Sequence, residues 1–167
     1  MPWRRMAKTI LHSWYGGNEA GNAVADVIFG KANPSGKLPV TFPSRLQDGP
    51  SFLSFGSDNG KIYYSEDVFV GHRWFEARGI ELAFAFGHGL SYTTFSTSNI
   101  RMADSKVLVD IKNTGSIVGG EVAMLYVSYD TTKSGKKSRF HRPVWTLAVF
   151  QKNVYGFCEE FQWEFGS

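Results

Sequence analysis

An α+β chain is predicted by three features of the sequence. A single helical stripe stands near the N-terminus, alternating strand patterns fill the C-terminal half, and between them glycines mix with aromatics with neither period sustained. At 167 residues, 43% hydrophobic and 20% charged, the composition is that of a globular chain with room for one ordinary domain or two small ones.

The aromatic pair Trp14-Tyr15 leads into a glycine turn at Gly16-Gly17. From Asn18, the spacing of Ala20, Ala23, Val24, Val27 and Ile28 predicts one apolar helical face, with Asn18 as N-cap and Gly30 just past the C-terminal end. Asn33-Pro34-Ser35-Gly36 is a turn by composition. Lys37 to Phe42 then reads as a strand that Pro39 restricts to an edge or a terminus. This strand-loop-helix-loop-strand unit is of the kind that builds a layered α/β domain, and it is too small to bury itself.

Residues 44–95 interleave glycines with rings such as Phe52, Phe55, Tyr63, Tyr64, Trp74, Phe75 and Phe86. Each ring can bury about 150–250 Å², so the stretch is expected to be a long ordered connector pinned to a neighbouring surface. From Thr97 the texture is β. Lys106 to Lys112 alternates, Asn113-Thr114-Gly115 is a turn, Glu121 to Ser128 is a second strand and Val144 to Phe150 a third, a spacing that points to a sandwich. Residues 156–167 receive no element.

Bulk properties exclude several classes. A net charge of +3, with basic residues scattered apart from Arg4-Arg5 and the Lys133 to Arg142 stretch, gives no nucleic-acid-binding face. The single Cys158 excludes an internal disulfide framework. The apolar pair Ile10-Leu11 after Arg4, Arg5 and Lys8 is too short for a signal-peptide core, no stretch is long enough to span a bilayer, and no Asn-X-Ser/Thr acceptor occurs. Neither a membrane nor a nucleic-acid partner is expected.

In the order Ile10 to Ala23, Asp26 to Pro43, Tyr64 to Arg73, Phe84 to Phe95, Asn113-Thr114-Gly115, Glu121 to Ser128 and Arg142-Pro143-Val144, the chain resembles the C-terminal part of a glycoside hydrolase family 3 β-glucosidase of the fungal type. The resemblance implies the end of an α/β sandwich domain over 1–43, the connector packed on it over 44–95, and an incomplete fibronectin type III-like β-sandwich over 96–167. It implies a retaining enzyme that releases glucose from the non-reducing ends of β-glucosides or cello-oligosaccharides, one carboxylate attacking the anomeric carbon and another protonating the leaving oxygen. Both would lie outside this chain, the nucleophile in a missing N-terminal barrel domain. The isolated chain is therefore expected to be inactive. The alternative is a non-catalytic docking module or the remnant of a truncated gene. Secretion follows from the resemblance, an intracellular location from the missing signal peptide.

Two departures stand out. His72 occupies a position where the family usually has tyrosine, a change expected to be mild and superficial. After Arg142-Pro143-Val144 the family pattern is lost, which would leave the terminal sandwich without about half its strands.

Among candidate site residues, Glu19 and Trp14 lie beside a glycine turn where a sugar could stack on the ring and bond to the acid. The simpler roles are a carboxylate in a first helical turn, favoured by the helix dipole, and a packing aromatic. Glu66-Asp67 is an adjacent acid pair on what reads as an extended segment, so its members point apart and cannot flank one glycosidic bond; solvation or a local ion pair with Arg73 is the expected use. His12, His72, His88 and His141 are too dispersed for a metal site, and neither metal nor cofactor is expected. Between Gly87 and Gly89, His88 marks a tight backbone corner. Cys158, beside Glu159 and Glu160, has no activating neighbour.

Overall fold

A computed structural model describes residues 2–56, 59–103, 106–127, 146–156 and 160–165. The elements among them are a 3₁₀ turn Pro2–Met6, helices α1 (Ala20–Ile28) and α2 (His72–Arg78), and strands β1 (Phe42–Pro43), β2 (Leu82–Phe84), β3 (Phe95–Ala103), β4 (Lys106–Asn113), β5 (Gly119–Val127), β6 (Thr146–Tyr155) and β7 (Glu160–Phe165), with a second short 3₁₀ turn at Leu46–Asp48. The chain is thus α+β with strands predominating. Its described residues fall into two compact units, one within Met1–Ala7, Lys37–His88 and Met124–Ala148, the other within Lys8–Gly36, Gly89–Ala123 and Val149–Ser167.

The second unit is organised by β4, which pairs antiparallel with β3 on one side and β7 on the other. Alternation along β4 buries Val109, Ile111 and Asn113 to 6%, 2% and 0% exposure, as a strand with one covered face requires. The β3–β4 register shifts between Ser98 and Arg101. Asn99 occupies that shift with φ of 53° and donates from Nδ2 to Asp110 at 2.7 Å. Asparagine tolerates this left-handed geometry better than most residues.

Helix α1 begins one residue later than the sequence predicts, with Glu19 rather than Asn18 at the N-cap. Its other end is as expected: Gly30 takes φ of 73°, and its amide donates to the Val27 carbonyl at 3.1 Å. The Tyr92 hydroxyl donates to the same carbonyl at 2.8 Å. Asn33, read as part of a turn, ties three segments: Oδ1 accepts from the Ser91 hydroxyl and the Tyr92 amide, each at 2.9 Å, and Nδ2 donates to the Val118 carbonyl at 3.0 Å.

In the first unit the expected strand over Lys37 to Phe42 shrinks to the two residues of β1, which pairs antiparallel with β2. Pro39 and Pro43 lack the amide a ladder needs, so upstream only Leu38 keeps strand-like bonds, donating to the His88 carbonyl at 2.9 Å and accepting from the Gly87 amide at 2.8 Å. Gly87 has φ of 79° and the His88 amide donates to Ala85 at 3.1 Å, the predicted backbone corner. The His88 imidazole lies against the Phe84 ring, centroids 5.1 Å apart.

The stretch read as an aperiodic connector holds α2 and β2. Helix α2 is delimited by Gly71 and Gly79 with φ of 57° and 60°, and it buries Phe75. Its Trp74 indole donates to the Asp48 carbonyl at 3.0 Å. Other rings of the connector remain outside, Phe55 and Tyr64 being 89% and 86% exposed. The predicted extended pair Glu66-Asp67 is instead part of a turn, Asp67 having φ of 51° and the Glu66 carbonyl accepting from the Phe69 amide at 2.9 Å. Neither acid forms an ion pair with Arg73 among the described residues.

Strand β5 pairs with β6. The latter runs to Tyr155, five residues beyond the predicted third strand, and β7 occupies part of the tail to which the sequence assigned nothing. The basic stretch from Lys133 to Arg142, with His141, and Cys158 lie outside the described residues.

Candidate functional site

Trp14 and Glu19 lie on the segment that precedes α1. Trp14 has φ of 53°, a conformation costing roughly 1–2 kcal/mol in a bulky residue. Its ring is 49% exposed and meets the His12 imidazole edge-on, centroids 4.3 Å apart. Gly16 makes the approach to the helix possible, because a Cβ there would stand 2.2 Å from that of Ala20. The Glu19 carboxylate accepts from the Asn22 side chain, the local bond expected of an acid in a first turn. Both residues are exposed, on one short segment.

Four other described carboxylates, Asp26, Asp48, Asp110 and Glu121, are occupied. Asp26 faces Lys31 at 3.7 Å, and Asp110 takes Asn99 and, at 3.5 Å, Arg101. Glu121 accepts from the Val122 amide at 2.8 Å. Asp48 is buried and receives Nε and a terminal nitrogen of Arg45, the latter at 2.6 Å, along with the Arg45 amide at 3.1 Å. Those bonds hold its carboxyl below the usual range, against the opposing effect of burial. No group of three His, Cys, Asp or Glu side chains able to hold a metal occurs among the described residues.

A second place in the molecule was not read from the sequence. An open cleft of about 530 Å³ in the first unit is lined by Pro39, Thr41, Pro43, His72, Arg73 and Phe86, among others. His72, expected to be superficial, is half-buried: its ring tilts against Phe86 with centroids 4.9 Å apart and stands edge-on to Tyr126 at 6.0 Å. Its Nε2 and the Thr41 hydroxyl are buried without a hydrogen-bond partner. Burial lowers the His72 pKa, with Glu76 opposing and Arg73 reinforcing the shift. Burial likewise raises that of Tyr126, helped by Glu76. The sequence signal was present in the unusual residue after Val70-Gly71, but a seven-residue helix gave no period to show which way it faced.

Residues 1–92 match the family described as the glycosyl hydrolase family 3 C-terminal domain. The probable β-glucosidase I of Aspergillus niger is 46% identical over 164 residues, 91% of this chain and 19% of that protein, and a putative β-glucosidase of Schizosaccharomyces pombe is 46% identical over 158 residues, 92% and 18%. The crystal structure of a β-glucosidase from Kluyveromyces marxianus in complex with glucose superposes with a TM-score of 0.87 at 41% identity, over 98% of this chain and 20% of that one. β-Glucosidase 3B from Thermotoga neapolitana in complex with glucose gives 0.88 at 36% identity, over 98% and 23%. The chain spans about a fifth of the length of these relatives.

Proposed function

The chain belongs to the glycosyl hydrolase family 3 C-terminal domain family, and from that premise we propose that it serves as the C-terminal scaffold of a retaining β-glucosidase that releases glucose from the non-reducing ends of β-glucosides or cello-oligosaccharides. Residues 1–43 close an α/β sandwich domain, 44–95 connect, and 96–167 belong to a fibronectin type III-like sandwich. The enzyme acts outside the cell.

One observation carries the scaffold role. A retaining glycosidase needs two carboxyl groups about 5–5.5 Å apart, both free to reach the anomeric centre. Here the chain spans only about a fifth of its β-glucosidase relatives, and among its described acids Asp26, Asp48, Asp110 and Glu121 are held by cations, amides or backbone while Glu19 is bonded to Asn22. The nucleophile and the acid/base come from polypeptide outside this chain. Trp14 and Glu19, exposed on one segment, are the residues here that reach the substrate's surroundings, the ring as a stacking face and the carboxylate as an acceptor for a hydroxyl.

The purified 167-residue chain, incubated with an aryl β-glucoside, is expected to release no phenol above the uncatalysed rate. Turnover that disappears in Glu19→Gln would overturn the assignment.

A further inference from the structure

We propose that the cleft bounded by Pro39, Thr41, Pro43, Arg73 and Phe86 is a binding site for a small aromatic carboxylate. Its volume of about 530 Å³ falls within the range of small-molecule sites. Prolines 39, 43 and 50 with Val70, Phe75 and Phe86 make the lining mostly apolar, and flat rigid surfaces of this kind suit a planar apolar body.

The charge in the cleft selects the other end of the ligand. Arg73 is half-buried and has no ion-pair partner among the described residues: Glu66 and Asp67, which lie on a backbone turn, make no ion pair with it. A partly desolvated cation without a counter-charge is unfavourable, and a guanidinium fork matches a carboxylate with two parallel hydrogen bonds. His72 lines the same cleft with its ring between Phe86 and Tyr126, and as a neutral imidazole it adds no second cation. Arg73 is thus the one fixed cation among the lining residues, and no acid stands among them. Thr41 lines the same cleft, with its hydroxyl buried and without a partner.

Benzoate is the probe, titrated into the full 167-residue chain and followed by amide chemical shifts, with benzyl alcohol and acetate as arms that keep only the ring or only the charge. Saturable benzoate binding with a Kd of about 1 mM or tighter is expected, within reach of nine non-hydrogen atoms, with shifts centred on Thr41, Gly71, His72 and Phe86. Both partial probes should bind at least about tenfold more weakly. Arg73→Gln should weaken benzoate at least about tenfold, whereas Arg78→Gln, on the same helix but outside the cleft, should leave it unchanged. If Arg73→Gln does not fold, the comparison of benzoate with benzyl alcohol on the unaltered chain decides. Equal affinity for these two, unchanged benzoate affinity in a folded Arg73→Gln, shifts centred elsewhere, or no saturation overturns the proposal.

Discussion

The Thr93 hydroxyl donates to Asn113 Oδ1 at 2.7 Å across twenty residues of sequence, and Asn113 is the most buried residue of the β4 strand at 0% exposure. The same oxygen accepts from the Gly115 amide at 3.1 Å, and Nδ2 donates to the Ile117 carbonyl at 2.8 Å. One amide side chain thus closes the turn after β4 and fixes the approach to β3. A buried asparagine is tolerable only because its bonds are made.

Asn113→Leu keeps the branched shape of the side chain, at a larger volume, but removes all of its hydrogen bonds at once. Each buried group left unpaired costs about 1–3 kcal/mol, so urea unfolding should show a loss of at least about 2 kcal/mol with the denaturant slope unchanged. A loss of only a few tenths would show that this network contributes little.

Gly115 is required by the same contact. A Cβ there would stand 2.2 Å from Thr93 Oγ1 and 3.1 Å from the Thr94 amide nitrogen, and the backbone cannot retreat as a flexible side chain can. Gly115→Ala should therefore destabilise by roughly 1–3 kcal/mol. Because Thr93→Ala removes the nearest clashing atom, the double variant should be less destabilised than the sum of the single ones. Strict additivity in the unfolding cycle would refute the steric explanation.

The sequence made this corner partly legible. Asn113-Thr114-Gly115 reads as a turn from composition, and the alternation before it reads as a strand, but nothing local says that Thr93 would meet Asn113. The same split recurs at Asn33, whose turn was visible and whose bonds to Ser91, Tyr92 and Val118 were not. Helix α1 was legible because nine residues show a full stripe and Gly30 supplies the stop. Helix α2 was hidden, for two turns between Gly71 and Gly79 cannot display a period. Strand β7 had its signal in Phe161-Gln162-Trp163-Glu164-Phe165, an alternation masked by the aromatic density around it. Of the candidate sites, Trp14 and Glu19 were named from the glycine turn beside them. The cleft around His72 was missed because it joins residues from about 39 to 86 that meet only once the chain is folded.

His72 should make stability fall as the solution is acidified. Its Nε2 has no partner, and burial holds its pKa below the usual 6.5, with Glu76 opposing and Arg73 adding to the shift. The unfolded chain takes up the proton as pH drops through 6.5, while the folded one takes it up only at lower pH. Between those values the unfolded state holds more protons, so stability declines with falling pH; the contribution is complete above 6.5. Thermal melts at intervals between pH 7.5 and 5 should slope less in His72→Phe than in the unaltered chain. Parallel profiles would remove His72 as the source.

Asp48 sets a second and more acidic dependence of the same sign. Its carboxyl lies below its ordinary 3.8, first because of the Arg45 hydrogen bonds, with burial acting the other way and the Arg45 amide and charge adding to the lowering. A depressed carboxylate contributes stability that is present above the unfolded value and lost as pH falls through the folded one. On acidification the histidine effect sets in below 6.5 and the aspartate effect only below 3.8, so their onsets can be read on one titration. Asp48→Asn keeps the size of the side chain and the neighbouring bond from the Trp74 indole to the residue 48 carbonyl, but it cannot meet the Arg45 fork or accept the Arg45 amide as a carboxylate does. At neutral pH the variant should melt below the unaltered chain, and the gap should narrow as pH is lowered past 3.8, because acid protonates in one protein the group that mutation has already neutralised in the other. A gap that stays constant down to pH about 2 would mean that the Arg45 pair lends the fold no charge-dependent stability and that Asp48 acts through its shape alone.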